Sequence, residues 1–340
     1  MRWALLAAVL VLGACKSGAG TTAGASTVVV YTSVDQVFSE PVFRAFEKHS
    51  GVKVKALFDT EETKSTGVLN RLIAEAKAPQ ADVFWSGDPV RPFVLARRGM
   101  LASYRAQAAK AIPAAFRGVR ARWHGVAARA RVLLVNTKLL PDPKARPASI
   151  AALVNPRFAG KAAIANPLYG TTTMHAAALF VTWGEKRAKA FFAKLKANRV
   201  RVVSSNGAVK RLVVAGEVAF GLTDTDDASE ARKEAGDKVA VVYPDSEEGG
   251  LGTLVMPTTV AILKAAPHPA SARKLCEFLL SARTEAMMAQ RAAHMPLRAD
   301  VKAPAGLRSV RSLRPMRVDY AKVAAEMQRI QPWLRKWVGL

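Results

Sequence analysis

Short apolar runs rich in β-branched residues alternate along this chain with segments whose apolar side chains recur at helical spacing. The first series of strands and helices lies at residues 28–31, 39–48, 52–57, 69–76, 82–85 and 90–97. A second series follows between residues 126 and 242. Strands that alternate with helices form mostly parallel sheets with helices on both faces. The sequence therefore predicts an α/β protein with two such sheets.

Length and composition agree with a large globular protein. The chain has 340 residues, half of them hydrophobic, which is enough for one large core or two moderate ones. Only residues 3–14 are apolar throughout, and this run is shorter than the roughly 20 residues of a membrane-spanning helix. A multi-pass membrane protein is therefore excluded.

The N-terminus has the pattern of an export signal. Arg2 precedes the apolar run, and the sequence Leu-Gly-Ala-Cys that ends at Cys15 resembles a bacterial lipobox. We expect a signal peptide at residues 1–14, a lipid on Cys15 and a flexible tether over residues 15–26. The protein would then lie in the cell envelope on the periplasmic face, anchored in the membrane by that lipid. The alternative is an ordinary secretory signal with an incidental cysteine.

Polar residues are concentrated in the loops that follow the predicted strands. In open α/β sheets ligands bind outside the carboxyl ends of strands. The candidate ligand loops are therefore residues 32–36, 86–88, 166–173, 204–207 and 223–227.

Several short motifs in a fixed order resemble one family of transport proteins. They are Val-Val-Val-Tyr-Thr-Ser at 28–33, Ala-Asp-Val-Phe-Trp at 81–85, Ala-Arg-Ala-Arg at 128–131, Asn-Pro-Arg-Phe-Ala-Gly-Lys at 155–161 and Met-Pro-Leu-Arg at 295–298. This pattern resembles the ferric-iron branch of the solute-binding proteins of ABC transporters.

The resemblance implies a two-lobed, type II periplasmic-binding fold with a ligand cleft between the lobes. Lobe I would comprise residues 27–127 plus 254–282, and lobe II residues 128–253 plus 283–340. The apolar stripe from Tyr320 to Trp337 predicts a packing helix interrupted at Pro332. The expected partners are an ABC permease with its ATPase subunits, and the receptor itself would be a monomer.

The sequence departs from the ferric pattern at the metal ligands. Where such receptors commonly carry two adjacent tyrosines, this chain has Asp226 and Asp227, and the earlier loops offer Asp35 and Asp88. These four carboxylates are tentative ligands for Fe(III), because hard cations prefer oxygen. They could equally hold ammonium or hydroxyl groups of an organic ligand. A third interpretation is a helix-capping box formed by Asp227 and Glu230.

The remaining candidates would bind an anion. Hydroxyls and free N–H groups at helix starts bind phosphate, carboxylate or carbonate. Arg129 and Arg131 alternate along the presumed crossover strand, so we expect only one of them, Arg129, to face the cleft. The full predicted ligand-binding set is Ser33, Asp35, Asp88, Arg129, Asn166, Thr171, Thr172, Asn206, Asp224, Asp226 and Asp227.

These residues predict a binding protein rather than an enzyme. We expect no catalytic residues and no catalytic cofactor, with Fe(III) and a synergistic anion as the transported ligand. A phosphorylated or phosphonate solute is the alternative, and an exported metal-dependent phosphoesterase is the alternative from another class. The net charge is +25, but an export signal argues against nucleic acid as a partner.

Overall fold

The computed structural model describes residues 26–59 and 67–340. The predicted signal peptide, the lipidation site Cys15 and nearly all of the tether lie outside the described residues. The strands are β1 (Thr27–Thr32), β2 (Lys53–Phe58), β3 (Val83–Ser86), β4 (His124–Asn136), β5 (Ala162–Ala165), β6 (Arg201–Val203), β7 (Phe220–Asp224), β8 (Val239–Val242) and β9 (Val255–Ile262).

Eleven α-helices lie among the described residues. They are α1 (Gln36–Ser50), α2 (Gly67–Ala74), α3 (Arg91–Arg97), α4 (Gly170–Trp183), α5 (Glu185–Ala197), α6 (Asn206–Ala215), α7 (Thr225–Ala235), α8 (Pro269–Leu279), α9 (Ala282–Ala292), α10 (Tyr320–Arg329) and α11 (Gln331–Val338). The predicted α/β class is therefore confirmed. No helix among the described residues is both long and apolar enough to cross a bilayer.

The strands form two parallel blocks that share a central antiparallel pair. The strand order is β2-β1-β3-β9-β4-β7-β5-β6, with β8 paired to β4 beside this path. Strands β2, β1 and β3 are parallel, and so are β7, β5 and β6. The two predicted parallel sheets are therefore present, but the prediction that they are separate was wrong, because β4 and β9 join them into one strand order.

Strand β4 connects the two blocks because it is long enough to pair with both. Its first half pairs with β9, and its second half pairs with β7 and β8. The pairing with β9 shifts between Gly125 and Ala128, where Ala127 has φ +57°. Such a bulge bends a strand and increases its twist. The bend lies just before Arg129, at the point where the chain leaves one block for the other.

The C-terminal helices pack against the second block. Helix α10 contacts α4 and, less extensively, α3. The Trp337 ring lies 5.1 Å from the Phe192 ring in edge-on geometry, and its Nε1 donates to the Phe192 carbonyl oxygen at 3.0 Å. This pairing fills an apolar surface and satisfies the indole N–H. The prediction of a packing helix interrupted near Pro332 is confirmed.

Helix α9 and the segment after it lie against the other block. Helix α9 contacts α1, α8 and β4. Its buried Glu285 accepts backbone N–H groups of Ala127, Leu297 and Arg298 at 3.0–3.3 Å. Burial, more than any other factor, raises the pKa of Glu285 to about 7. The boundaries proposed for the two lobes stay a prediction.

Candidate functional site

Loops from both blocks line one cleft with a volume of about 1290 Å³. Ten of the eleven predicted ligand residues line it, from Asp35 near β1 to Asp227 in α7. The exception is Ser33, which is buried and whose Oγ accepts the Gly87 N–H at 2.9 Å. The N-termini of α1, α3, α4, α6 and α7 all open on the cleft. Each of these helices follows a strand of its own block, and the intervening strands β9 and β4 set the two blocks antiparallel to each other. The carboxyl ends of the two blocks therefore face each other across the cleft.

A buried network of polar side chains forms one wall of the cleft. The Arg131 side chain is fully buried and donates to Asp224 Oδ1 at 2.6 Å. It also donates to Thr171 Oγ1 at 3.0 Å and to Asn206 Oδ1 at 3.1 Å. Asp224 Oδ2 in turn accepts from Thr171 Oγ1 at 2.8 Å and from Asn206 Nδ2 at 3.1 Å. The Arg131 side chain of β4 thus forms hydrogen bonds with the starts of α4, α6 and α7.

Helix capping does not explain the presence of a carboxylate at Asp224. It occupies the N-cap position of α7, but its side chain makes no capping hydrogen bond. The predicted capping box of Asp227 and Glu230 was wrong, because α7 begins at Thr225 and Asp227 lies inside its first turn. Asp227 Oδ2 instead accepts from Thr223 Oγ1 at 3.1 Å. These carboxylates face polar groups of the site.

Arg129 bridges the two sides of the cleft. Its Nη2 donates to the Gly87 carbonyl oxygen at 2.9 Å, and its Nη1 lies 3.5 Å from Asp226 and 3.6 Å from Asp224. Our reasoning from strand alternation was wrong, because residues two apart on a strand point to the same face. Arg129 and Arg131 both extend toward Asp224. Arg129 reaches the cleft, whereas Arg131 is covered.

The electrostatics of the cleft are dominated by three close carboxylates. Oxygens of Asp224, Asp226 and Asp227 all lie within 4.8 Å of one another, and this group could hold a metal ion. Burial, assisted by the charges of Asp226 and Asp224, raises the pKa of Asp227 to about 7. Burial also raises the pKa of Asp226, and Arg129 opposes that rise. When all three carboxylates are ionised, their negative charge exceeds the charge of the two guanidinium groups by one.

The same carboxylates change the pKa of Arg129. Burial by itself lowers the pKa of Arg129, but the carboxylates of Asp226, Asp224, Asp35 and Asp88 outweigh burial and raise it. Arg129 therefore stays charged. An opposite charge within a few ångströms favours the ionised form of both partners.

The four predicted metal ligands are not equivalent. Asp88 Oδ1 accepts the backbone N–H groups of Val90 and Arg91 at 2.8 and 3.2 Å, and its Oδ2 forms an ion pair with the Arg91 side chain. Asp88 therefore caps α3. Asp35 lines the cleft at the start of α1, and its side chain makes no capping hydrogen bond there. Asp226 and Asp227 lie together on the opposite wall.

The helix starts of α4 and α6 supply N–H groups for an anion. The first turn of α4 contains no acidic residue, and neither does that of α6. The first N–H groups of a helix lack intrahelical acceptors and carry the positive end of the helix dipole. Asn166 is used locally, since its Oδ1 accepts the Leu168 N–H at 3.0 Å.

Sequence reasoning missed four residues at this site. Arg131 was set aside, although its place two residues from Arg129 was a signal that both share a face. Thr173 was also missed. It lines the cleft, is 1% exposed, and its hydroxyl has no hydrogen-bond partner among residues 26–59 and 67–340. Gln328 and Gln331 of the C-terminal helices also line the cleft, and no motif indicated them.

The fold and the cleft define a two-lobed solute-binding protein of the periplasmic type. A family model described as bacterial extracellular solute-binding protein matches residues 42–309, and this chain belongs to that family. The ferric-type resemblance to the solute-binding components of ABC importers is confirmed. The chain is thus a solute-binding component of an ABC importer.

Relatives with different ligands match most of the chain. A putative 2-aminoethylphosphonate-binding periplasmic protein of Salmonella typhi is 28% identical over 321 residues, which cover 92% of this chain and 87% of the relative. A Bordetella ferric binding protein is 29% identical, with a TM-score of 0.74 over 92% of this chain and 98% of its own. Iron-bound HitA from Pseudomonas aeruginosa shares the fold, with a TM-score of 0.80 and 24% identity over 93% of this chain and 100% of its own.

Proposed function

We propose that this protein captures a small organic solute that carries both a phosphonate or phosphate group and a positively charged amino group. The observation that supports this most directly is the pairing of two subsites in one cleft. Helix starts free of acidic residues lie on one wall, and a cluster of three carboxylates lies close by. A zwitterionic solute satisfies both.

The anionic end would bind the first turns of α4 and α6. Both turns line the cleft, at residues 170–173 and 205–207. Helix N-termini bind phosphate-like groups through backbone N–H groups and the helix dipole. The Thr173 hydroxyl, which lacks a protein partner among the described residues, could donate to the same group. A doubly charged phosphonate is suited to such a set of donors.

The cationic end would bind Asp226 and Asp227. Asp224 already has a strong partner in Arg131, whereas the ion pair of Asp226 with Arg129 is longer, at 3.5 Å. One oxygen of Asp226, Oδ1, is buried and has no hydrogen-bond partner in the described part of the chain. A buried carboxylate without a full set of partners is costly, and an ammonium group removes that cost. The name of the Salmonella relative agrees with this combination of groups.

Fe(III) with a synergistic anion is the second candidate. The close approach of the three carboxylates favours it, as do the names of the ferric relatives. Against it, two guanidinium groups already lie at this cluster, and a trivalent cation would be repelled by them. The tyrosine pair of the ferric pattern is also absent from residues 226 and 227.

The experiment is native mass spectrometry and calorimetry of the mature chain carrying Cys15→Ser. The masses before and after denaturation identify any co-purified ligand. Calorimetry then compares 2-aminoethylphosphonate, methylphosphonate, ethanolamine and ferric citrate. We expect the aminophosphonate to bind more tightly than either fragment. An iron adduct with no response to phosphonates would establish the second candidate instead.

A matched pair of variants locates the cationic subsite. Asp226→Asn should weaken 2-aminoethylphosphonate binding at least tenfold and leave methylphosphonate binding unchanged. Asp237→Asn, at an exposed position, is the control and should change neither. Equal losses for both phosphonates would contradict the proposed role of Asp226.

Three further features are expected of such a solute receptor: a lipid anchor, a monomeric state and no catalytic activity. We infer that Cys15 carries a lipid that holds the receptor at the membrane, and that the receptor acts as a monomer without catalysis. Metabolic labelling with a fatty acid should mark the wild type and not the Cys15→Ser variant. Hydrolysis of phosphate esters that is lost with Asp226→Asn would favour the phosphoesterase alternative instead.

A further inference from the structure

We propose that Arg131 is the positioning residue of the anionic subsite, which holds the starts of α4 and α6 at the spacing that the ligand requires. This inference rests on the proposed function, because that function supplies the anionic group. The residue does not line the cleft, so it acts through other groups rather than by touching the ligand.

The contacts of Arg131 reach every element around the subsite. Its Nη1 donates to Thr171 in α4, to Asn206 in α6 and to Asp224 at the head of α7. Its Nη2 approaches Thr172 Oγ1 at 3.4 Å and the Leu222 carbonyl oxygen of β7 at 3.3 Å. One rigid guanidinium on β4 therefore fixes the relative positions of three helix starts.

The network also determines which groups remain for the ligand. The Thr171 hydroxyl donates to Asp224 and accepts from Arg131 and Asn206, which uses its one donor and both acceptor positions. The Asn206 amide likewise donates to Thr171 and Asp224 and accepts from Arg131. These two side chains, predicted as direct ligands, are occupied in the structure. Backbone N–H groups at the two helix starts and the Thr173 hydroxyl remain available to the ligand.

Arginine is required because of its geometry rather than its charge alone. A guanidinium presents five N–H donors in a planar fork, whereas a lysine ammonium is a compact group on a flexible stem. Buried ion pairs add little net stability over apolar residues, so stability alone gives no reason for this pair. Arg131→Lys keeps a positive charge beside Asp224 and removes the fork. The variant therefore separates positioning from charge.

The test compares Arg131→Lys with Arg201→Lys. Arg201 forms an exposed ion pair with Glu217 at 3.0 Å on β6, so its lysine variant makes the same chemical change outside the network. Calorimetry with methylphosphonate and with 2-aminoethylphosphonate should show a common loss of about 10- to 100-fold for Arg131→Lys, the size found for residues that orient the ligands of metal sites. Arg201→Lys should bind both as the wild type does.

A second readout separates positioning from a loss of fold. Hydrogen exchange of the ligand-free proteins should be faster over residues 170–176 and 205–211 in Arg131→Lys, with the rest of the chain and the circular dichroism spectrum unchanged. Wild-type affinities in Arg131→Lys, or unchanged exchange in both segments, would overturn the inference. If the wild type binds neither phosphonate, the proposed function fails, and the exchange experiment alone decides the role of Arg131.

Discussion

Replacing Asp227 by asparagine should stabilise the unliganded protein by an amount that grows as the pH rises from about 4 to 7. Burial and the charges of Asp226 and Asp224 raise the pKa of Asp227 from 3.8 to about 7. Since one pKa unit corresponds to 1.36 kcal/mol, the shift sets an upper limit of about 4 kcal/mol. The side chain is only partly buried and shares its charge interactions with Asp226, so we expect about 2 kcal/mol.

The sign follows from proton linkage. Below about pH 4 the Asp227 carboxyl is protonated in the folded and the unfolded chain, so it imposes no cost. Between about pH 4 and 7 the unfolded chain loses the proton first, and the stability of the wild type falls as the pH rises. Above pH 7 the full cost is present. The advantage of Asp227→Asn should therefore grow between pH 4 and 7 and then remain constant.

Thermal unfolding of the wild type, Asp227→Asn and Asp237→Asn at pH 4.5, 6 and 8 measures this effect. Asp237 is exposed, so its variant controls for the general change in net charge. Binding of 2-aminoethylphosphonate should weaken in Asp227→Asn while unfolding midpoints rise. A stabilisation that is equal at pH 4.5 and pH 8, or a destabilisation at pH 8, would refute the electrostatic reasoning.

Four further predictions concern ligand binding and packing. Binding of 2-aminoethylphosphonate should tighten as the pH rises from 6 to 8, since an ammonium prefers the ionised form of Asp227; calorimetry at constant salt checks this. Gly221→Ala should cost more than 2 kcal/mol, because its Cβ would lie 2.3 Å from Val209 Cγ1. Gly160→Ala, with open space, should cost only about 1 kcal/mol in chemical denaturation. Trp337→Ala should cost about 3–5 kcal/mol by the same measurement.

Local sequence patterns determined the elements of this protein and the strand ends whose loops line its cleft. The strand at β1, the helix α1 ended by Gly51 in the left-handed conformation, and the helix α5 follow from periodicity and capping. The family motifs predicted the two-lobed fold. These signals succeed because they depend on neighbouring residues and on the rule that parallel strands end at one edge.

The tertiary structure decided which polar residues of the cleft remain available to a ligand. Asp88 and Asp224 look alike in sequence, yet one caps α3 and the other pairs with a buried arginine from β4. Arg131 contacts Asn206 and Asp224 across 75 and 93 residues of chain, and a local pattern carries no information about such distances. Burial and mutual charge then raise the pKa of Asp227. Both depend on how the helix starts pack together, which is why only the folded chain reveals them.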